Sequence, residues 1–121
     1  MKRVALLLAT VVAGIAALPA SAGTNGLSFV QVVEKEWTLT LSRPSVRAGS
    51  VSLELVNFGM DNHDLVIKGM KAGSKAVKFK QLSPSGRTDR TLHLVPGRYA
   101  LWCSVPGHKA KGMHATFVVK K

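Results

Sequence analysis

The chain alternates apolar and polar residues over short stretches, and a two-residue period of this kind predicts β-strands. The clearest example is residues 37–41, where Trp37, Leu39 and Leu41 alternate with threonines. Comparable alternation or short apolar runs occur at residues 51–55, 65–67, 92–94, 99–103 and 115–119. Turn-forming residues such as proline, glycine and asparagine separate these stretches. About seven short strands at this spacing predict an all-β fold of the sandwich type.

Residues 68–87 do not follow this pattern. They contain six basic residues, three glycines and no acidic residue. We expect a long surface connection there, with one helical turn at most. Two interpretations of its charge stay open, a solvated loop and a docking surface for an acidic partner.

The first residues have the features of an export signal. Lys2 and Arg3 precede residues 4–18, an uncharged and mostly apolar run of 15 residues. Pro19 and the small residues of Ala20–Ser21–Ala22 follow, as at a signal-peptidase site. The alternative is an uncleaved membrane anchor, but 15 residues fall short of the ~20 that span a bilayer as a helix.

We therefore divide the chain into three parts. Residues 1–22 are a predicted signal peptide, residues 23–27 a flexible lead-in, and residues 28–121 a single domain. The domain is expected to act outside the cytoplasm, in the periplasm or the extracellular space, as a monomer with no stable insertion in the membrane.

Export places the domain in an oxidising compartment, where cysteines usually pair as disulfides. Cys103 is the one cysteine of the chain, so no internal disulfide can form. Metal ligation is one role that would protect such a lone thiol.

The charge balance concerns partners and not the fold. Loss of Lys2 and Arg3 with the signal would lower the formal net charge from +11 to +9. An exported domain rarely meets nucleic acid, so we expect no nucleic-acid partner. Acidic proteins or an anionic envelope surface fit the compartment better.

The segment with the most specific chemistry runs from Cys103 to Met113. A predicted strand ends at Cys103, and a loop stiffened by Pro106 presents His108 and then Met113 before the last strand begins. The three residues offer a thiolate, an imidazole and a thioether at steps of five residues. Soft and borderline ligands of this kind suit copper better than calcium or magnesium.

A fourth ligand must come from another part of the chain, and His63 is the candidate. It follows the predicted turn at residues 57–62 and begins a strand, so it is expected at the same end of the sandwich as the loop. Two histidines and a cysteine in a plane, with a weak axial methionine, form a blue-copper site. Such a site leaves no strong open position for a substrate, which favours electron transfer over catalysis.

Three motifs resemble the cupredoxin family, and the plastocyanin, azurin and auracyanin-like members in particular. They are Asn62–His63, the segment Val95–Pro–Gly–Arg–Tyr99, and Cys103–Ser–Val–Pro–Gly–His108 followed after four residues by Met113. The resemblance covers residues 28–121. It implies a Greek-key β-sandwich, one type 1 copper ion that alternates between Cu(I) and Cu(II), and single-electron transfer between larger redox proteins. It also implies that electrons leave through the edge of the His108 ring.

One residue departs from the family pattern. Many relatives have asparagine after the first histidine, where this chain has Asp64. We expect its carboxylate to accept hydrogen bonds from the backbone N–H or the hydroxyl of Ser104 and to place negative charge near the copper. The alternative is a solvent-facing Asp64 at the start of a strand.

Four further residues are candidates for partner docking around the exposed histidine: Met60, Pro106, Lys109 and Lys111. A second methionine, Met70, either joins this patch or fills space elsewhere. The partners would be redox proteins with acidic surfaces, such as a cytochrome, an oxidase or a reductase. His93 and His114 are expected to be exposed surface histidines.

Three functions compete for this ligand set. The first is an electron carrier, and the second is copper scavenging or delivery with the same four ligands. The third is catalysis by a Cys–His pair, but the following methionine explains both residues better as ligands. Copper oxidases and nitrite reductases also need additional copper centres and domains, so we expect no enzyme.

Overall fold

The computed structural model describes residues 26–121. The predicted signal peptide, 1–22, and residues 23–25 of the predicted lead-in lie outside the described residues. Residues 26–121 form nine strands and one short helix: β1 (Ser28–Lys35), β2 (Thr38–Leu41), β3 (Ser45–Arg47), β4 (Gly49–Asn57), β5 (Val66–Gly69), β6 (Ala76–Lys78), β7 (Arg87–Leu94), β8 (Gly97–Trp102), α1 (His108–Lys111) and β9 (His114–Lys120). Within this range no helix is both long enough and apolar enough to cross a membrane.

The strands form two sheets that pack face to face. One has four strands in the order β2-β1-β4-β7, and the other has five in the order β3-β9-β8-β5-β6. Most neighbouring strands are antiparallel, whereas β1 with β4 and β3 with β9 are parallel. The predicted all-β sandwich is confirmed.

Most strands coincide with the alternating stretches of the sequence, but β1, β3 and β6 were not predicted. β6 lies inside the connection expected at residues 68–87, which contains no helical turn. Leu82 in the same connection exchanges backbone hydrogen bonds with His63, at 2.7 and 3.1 Å. The connection therefore pairs with the sheet and does not project as a free loop, because its backbone groups find strand partners there.

The core lies between the sheets and follows the two-residue period. Inward residues of the first sheet alternate with polar ones, as in Val51, Leu53 and Leu55 of β4, which are fully buried. The second sheet contributes Ile67, Leu101, Phe117 and Val119, with Phe79 and Leu82 from the connection after β5. Burying a side chain of this size stabilises the fold by roughly 1.5–3 kcal/mol.

The topology brings two chain segments together at one end of the sandwich. β8 ends at Trp102, so Cys103 and the loop after it leave the sheet at this end. β5 pairs antiparallel with β8, and its first residue, Val66, lies opposite Trp102. His63 precedes β5 and therefore lies at the same end as Cys103. We call this end of the sandwich the histidine–cysteine end.

Candidate metal centre

The loop from Cys103 to Met113 is closed by its own backbone. The N–H of Cys103 donates to the carbonyl of Met113 at 3.0 Å, and the N–H of Met113 donates to the carbonyl of His108 at 3.2 Å. Gly107 and Gly112, on either side of the one-turn helix α1, have φ values of 80° and 125°. Other residues rarely adopt these angles. The loop therefore holds Cys103, His108 and Met113 close together.

The segment that carries His63 is fixed by Asn57, the last residue of β4, which is completely buried. Its side-chain NH₂ donates to the carbonyls of Asp61 and Leu82 at 2.8 and 3.0 Å, and its carbonyl accepts from the N–H of Gly59 at 2.8 Å. One amide side chain thus satisfies two backbone groups of the turn at residues 57–62 and joins the turn to Leu82, which lies between β6 and β7. His63 follows this turn in a defined position.

The side chains of His63, Cys103 and His108 converge on one point. The Nδ1 atoms of the two histidines lie 3.1 Å apart, and the Sγ atom of Cys103 lies 3.9 Å from His63 Nδ1 and 3.7 Å from His108 Nδ1. The point equidistant from the three atoms is about 2.1 Å from each, near the ~2.0–2.1 Å of metal–imidazole bonds and just short of the ~2.3 Å of a metal–thiolate bond. Within residues 26–121, His63, Cys103 and His108 form the one group of three or more histidine, cysteine or acidic side chains placed to hold a metal ion. The donor set fits a copper ion.

The three donors lie in a poorly solvated environment. His63 and Cys103 are fully buried, and His108 is 7 % exposed. Burial lowers the pKa of His108, and the neighbouring His63 lowers it further, so the lone pair of its imidazole is available. Burial also raises the pKa of the Cys103 thiol. A bound metal cation would reverse that effect, because it stabilises the thiolate directly.

Met113 is buried beside these donors, with no exposed surface. Its backbone is bonded to both Cys103 and His108, so its thioether starts from the same short loop. The structure therefore places the backbone of Met113 against those of Cys103 and His108 and buries its side chain.

Asp64 lies against the cysteine loop and is 3 % exposed, so it is not the solvent-facing residue of the alternative interpretation. Its Oδ1 accepts from the backbone N–H of Ser104 at 2.6 Å, and its Oδ2 accepts from the Ser104 hydroxyl at 2.7 Å. Burial raises the pKa of Asp64, but these bonds and Lys78 outweigh it and leave the pKa below its usual value. The backbone N–H of Asp64 points to Cys103 Sγ at 3.5 Å. Asp64 thus joins the His63 segment to the cysteine loop.

Glu36, which the sequence did not identify, contacts the first histidine from the turn between β1 and β2. Its Oε1 lies 2.9 Å from His63 Nε2 and accepts the backbone N–H groups of Met60 and Asp61 at 2.7 and 2.8 Å. The hydrogen bond from Asp61 is the main reason that the pKa of Glu36 falls to about 2. Since this carboxylate accepts the Nε2–H of His63, the Nδ1 lone pair is directed at the donor cluster.

Trp37, the next residue, contacts the second histidine. Its ring meets the His108 ring edge-on, with centroids 4.9 Å apart. The ammonium group of Lys111 lies 3.8 Å from the centre of the Trp37 ring, and that of Lys109 lies 4.6 Å from the centre of the Trp102 ring. The sequence suggested an exposed His108 ring. Trp37 instead packs against it, which accounts in part for its low exposure.

The remaining docking candidates divide between the two ends of the molecule. Met60, 84 % exposed, belongs to the turn that Glu36 holds, and Pro106 is exposed in the cysteine loop. Met70 donates its backbone N–H to Arg98 near the start of β8, at the end opposite Cys103. Of the two roles considered for Met70, the structure supports surface packing away from the cluster. His93 and His114 are exposed on β7 and β9, as expected.

A second carboxylate near the site lies inside the sandwich. Glu34 on β1 has no exposed surface, and neither of its carboxylate oxygens has a hydrogen-bond partner within residues 26–121. Burial, with a smaller effect from the charge of Asp64, raises the pKa of Glu34 to about 8. Glu34 is therefore mainly protonated at neutral pH.

Comparison with known proteins identifies the fold. No protein-family model matches the chain, and no curated protein matches it. Among solved structures, auracyanin from the photosynthetic bacterium Roseiflexus castenholzii is 18% identical with a TM-score of 0.65, covering 78% of this chain and 98% of its own. Auracyanin A from Chloroflexus aurantiacus, described as a "blue" copper protein, is 13% identical with a TM-score of 0.63, covering 78% and 100%. Rusticyanin from Thiobacillus ferrooxidans is 18% identical with a TM-score of 0.60, covering 80% and 79%. These proteins are cupredoxins, and the likeness shows that this chain has the cupredoxin fold.

Proposed function

We propose that this chain of cupredoxin fold is an exported electron carrier that binds one type 1 copper ion through His63, Cys103, His108 and Met113. The observation that carries the proposal is the convergence of two imidazole nitrogens and one cysteine sulfur within 3.9 Å of one another. The likeness to auracyanin A, a "blue" copper protein, supports the choice of metal.

The protein's own residues would supply a rigid site. Bound copper would alternate between Cu(I) and Cu(II). Glu36 and Trp37 hold the two histidine rings, and Asp64 holds the cysteine loop through Ser104. A site fixed in this way changes little when an electron arrives or leaves, which keeps transfer fast.

Burial of the ligands favours electron transfer over copper delivery. His63, Cys103 and Met113 have no exposed surface. A delivery protein must pass its metal to the ligands of a partner, and here no partner side chain reaches these three without opening the loop. An electron needs no such opening, since the His108 ring is 7 % exposed and contacts the partly exposed ring of Trp37.

The proposed partners are redox proteins with acidic docking surfaces. Lys109 and Lys111 flank His108, and Met60 and Pro106 offer exposed apolar surface at the same end. We further propose that residues 1–22 direct export and are removed, so that residues 28–121 act outside the cytoplasm as a soluble carrier.

Absorption and EPR spectroscopy of the protein lacking residues 1–22, after loading with Cu(II), test the function. We expect an intense blue colour from thiolate-to-copper charge transfer and a reversible one-electron couple in voltammetry. Cys103→Ser is the matched control, since it keeps the volume and removes the thiolate, and it should be colourless. A colourless Cu(II) form of the unmutated domain contradicts the proposal, and rapid loss of Cu(I) to a chelator favours copper delivery instead.

A further inference from the structure

A groove of about 610 Å³ opens beside the cysteine loop. Residues 78–81, at and after the end of β6, line it together with residues 104–106 of the loop, and Asp64 lies between the two groups. Lys78, Lys80 and Pro106 are exposed, so the groove is open to a macromolecule.

The groove contains one ion pair that reaches the histidine–cysteine end. The ammonium of Lys78 lies 3.2 Å from Asp64 Oδ2, and the lysine side chain is 62% exposed whereas that of Asp64 is 5% exposed. Among residues 26–121, Lys78 is the one basic side chain paired with Asp64. A surface cation thus contacts a buried carboxylate directly.

Asp64 in turn contacts the residues around the proposed copper ligands. It follows His63, accepts two hydrogen bonds from Ser104, and points its backbone N–H at Cys103 Sγ. In this poorly solvated position its charge acts strongly on any charge at the cluster. Lys78 offsets that negative charge, so its position affects the relative stability of Cu(II) and Cu(I).

The charge of the groove identifies the kind of occupant. Its charged lining residues are Lys78, Lys80 and the buried Asp64, so its accessible charge is positive. Lys109, three residues after Pro106, is also basic and exposed. Carboxylate side chains complement this surface in charge, and a concave groove fits a protruding protein segment.

We propose that an acidic segment of a redox partner binds this groove and, by drawing Lys78 away from Asp64, lowers the reduction potential of the copper. The uncompensated carboxylate then stabilises Cu(II), so the carrier becomes a stronger reductant while it is docked. Linkage requires the converse, that the Cu(II) form binds the acidic segment more tightly than the Cu(I) form. The ratio of the two affinities equals the factor by which docking shifts the equilibrium between Cu(II) and Cu(I). This inference rests on the proposed electron-carrier function.

Two variants and an oligoglutamate peptide test the proposal. Lys78→Gln and Lys80→Gln remove the same charge from the same groove, but only Lys78 contacts Asp64. We expect Lys78→Gln to have a lower potential than the unmutated protein and Lys80→Gln to have nearly the same potential. Saturating peptide should lower the potential of the unmutated protein and of Lys80→Gln, and it should leave that of Lys78→Gln almost unchanged. Both variants should bind the peptide several-fold more weakly.

A second measurement uses copper-free protein. In ¹H–¹⁵N NMR, the peptide should shift the amide of Ser104, which donates to Asp64, in the unmutated protein and in Lys80→Gln but not in Lys78→Gln. Equal potentials for the two variants, a peptide effect that persists in Lys78→Gln, or an unmoved Ser104 amide overturns the proposal. A normal blue couple with any of these results leaves the electron-carrier function standing. Absence of the couple rejects that function, while the NMR result still decides whether the groove acts on Asp64.

Discussion

Glu34 is an exception to the rule that carboxylates stay at the surface or find partners. Its period-two position on β1 places it on the same face as Val30 and Val32, inside the sandwich. Both oxygens are buried without a hydrogen bond within the described chain, and a charged form there would be costly. The fold therefore selects the protonated acid.

This protonation makes stability depend on pH. The pKa of Glu34 is about 8 in the folded protein and near the ordinary 4.5 when unfolded, so folding requires proton uptake between these values. The stability that protonation of Glu34 contributes is fully present below about pH 4.5 and is lost as the pH rises to about 8. Over this range the free energy of unfolding falls by at most about 1.4 kcal/mol per pH unit. We expect Glu34→Gln, which cannot ionise, to remove this dependence. Urea unfolding of the copper-free proteins across this range measures the free energy of unfolding as a function of pH. The same pH dependence in the unmutated protein and in Glu34→Gln would contradict the raised pKa of Glu34.

Asp64 gives a second prediction at the residue scale. Asp64→Asn keeps an acceptor for Ser104 but removes a negative charge close to the proposed copper. Cu(II) loses stabilisation relative to Cu(I), so the reduction potential should rise. Voltammetry of the copper-loaded variant measures the shift, with Asp89→Asn, an exposed change on β7, as the control. An unchanged or lower potential would count against an electrostatic role for Asp64.

At the scale of elements, the cysteine loop depends on two glycines whose surroundings differ. Gly107 has φ 80° with no atom within 4 Å of an added Cβ, whereas Gly112 has φ 125° and its Cβ would lie 2.8 Å from the backbone oxygen of Trp37. The loop and the β1–β2 turn therefore approach closely at Gly112.

Alanine at the two positions separates strain from crowding. Gly107→Ala should cost about 1–2 kcal/mol of unfolding free energy from backbone strain alone. Gly112→Ala should cost more, because strain and the contact with Trp37 add. Denaturant unfolding of the copper-free variants checks this order. Equal losses of unfolding free energy would show that the β1–β2 turn moves to accommodate the added methyl group at little cost.

The turn between β1 and β2 acts on both histidines, through Glu36 and Trp37. Glu36→Leu removes the acceptor for His63 Nε2, so the ring should lose its fixed tautomer and copper affinity should fall by about 10- to 100-fold. Glu36→Gln keeps an oxygen at the same place and should retain most of the affinity. Competition titration with a copper chelator measures binding, and ¹⁵N NMR of the copper-free protein reports the tautomer. Equal affinities for the two variants would exclude a positioning role.

At the scale of the whole molecule, the excess of basic residues should govern encounter rates. The Cu(I) form should react with an anionic oxidant such as hexacyanoferrate(III) at a rate that falls as ionic strength rises, because salt screens the attraction. A cationic cobalt(III) complex should show the opposite trend. Stopped-flow measurements test both, and the double variant Lys109→Gln, Lys111→Gln should weaken both dependences if the reaction occurs at the histidine–cysteine end.

Much of the architecture was predictable because strands that face one core keep a strict two-residue period. β4, β8 and β9 follow directly from it. β1 carries Glu34 in an inward position and β6 is three residues long, so their local pattern is weak. Both are strands because their neighbours in the sheet satisfy their backbone groups.

The candidate metal site, like the fold, could be predicted from the sequence only in part. Cys103, His108 and Met113 lie within one short loop, so their spacing alone placed them together, and the turn before His63 indicated its end of the fold. Contacts from Glu36, Trp37 and Lys78 could not be predicted, because they come from distant segments that sheet pairing brings to the loop.

The sequence by itself determined the fold class, the candidate ligand set and the positive charge of the protein. These properties depend on local periodicity, on short spacing and on composition. The tertiary structure decided that Trp37 packs against His108, that Glu36 contacts His63, that burial raises the pKa of Glu34, and that Lys78 pairs with Asp64. Each of these depends on the distance between side chains far apart in the chain, which is set when the two sheets pack.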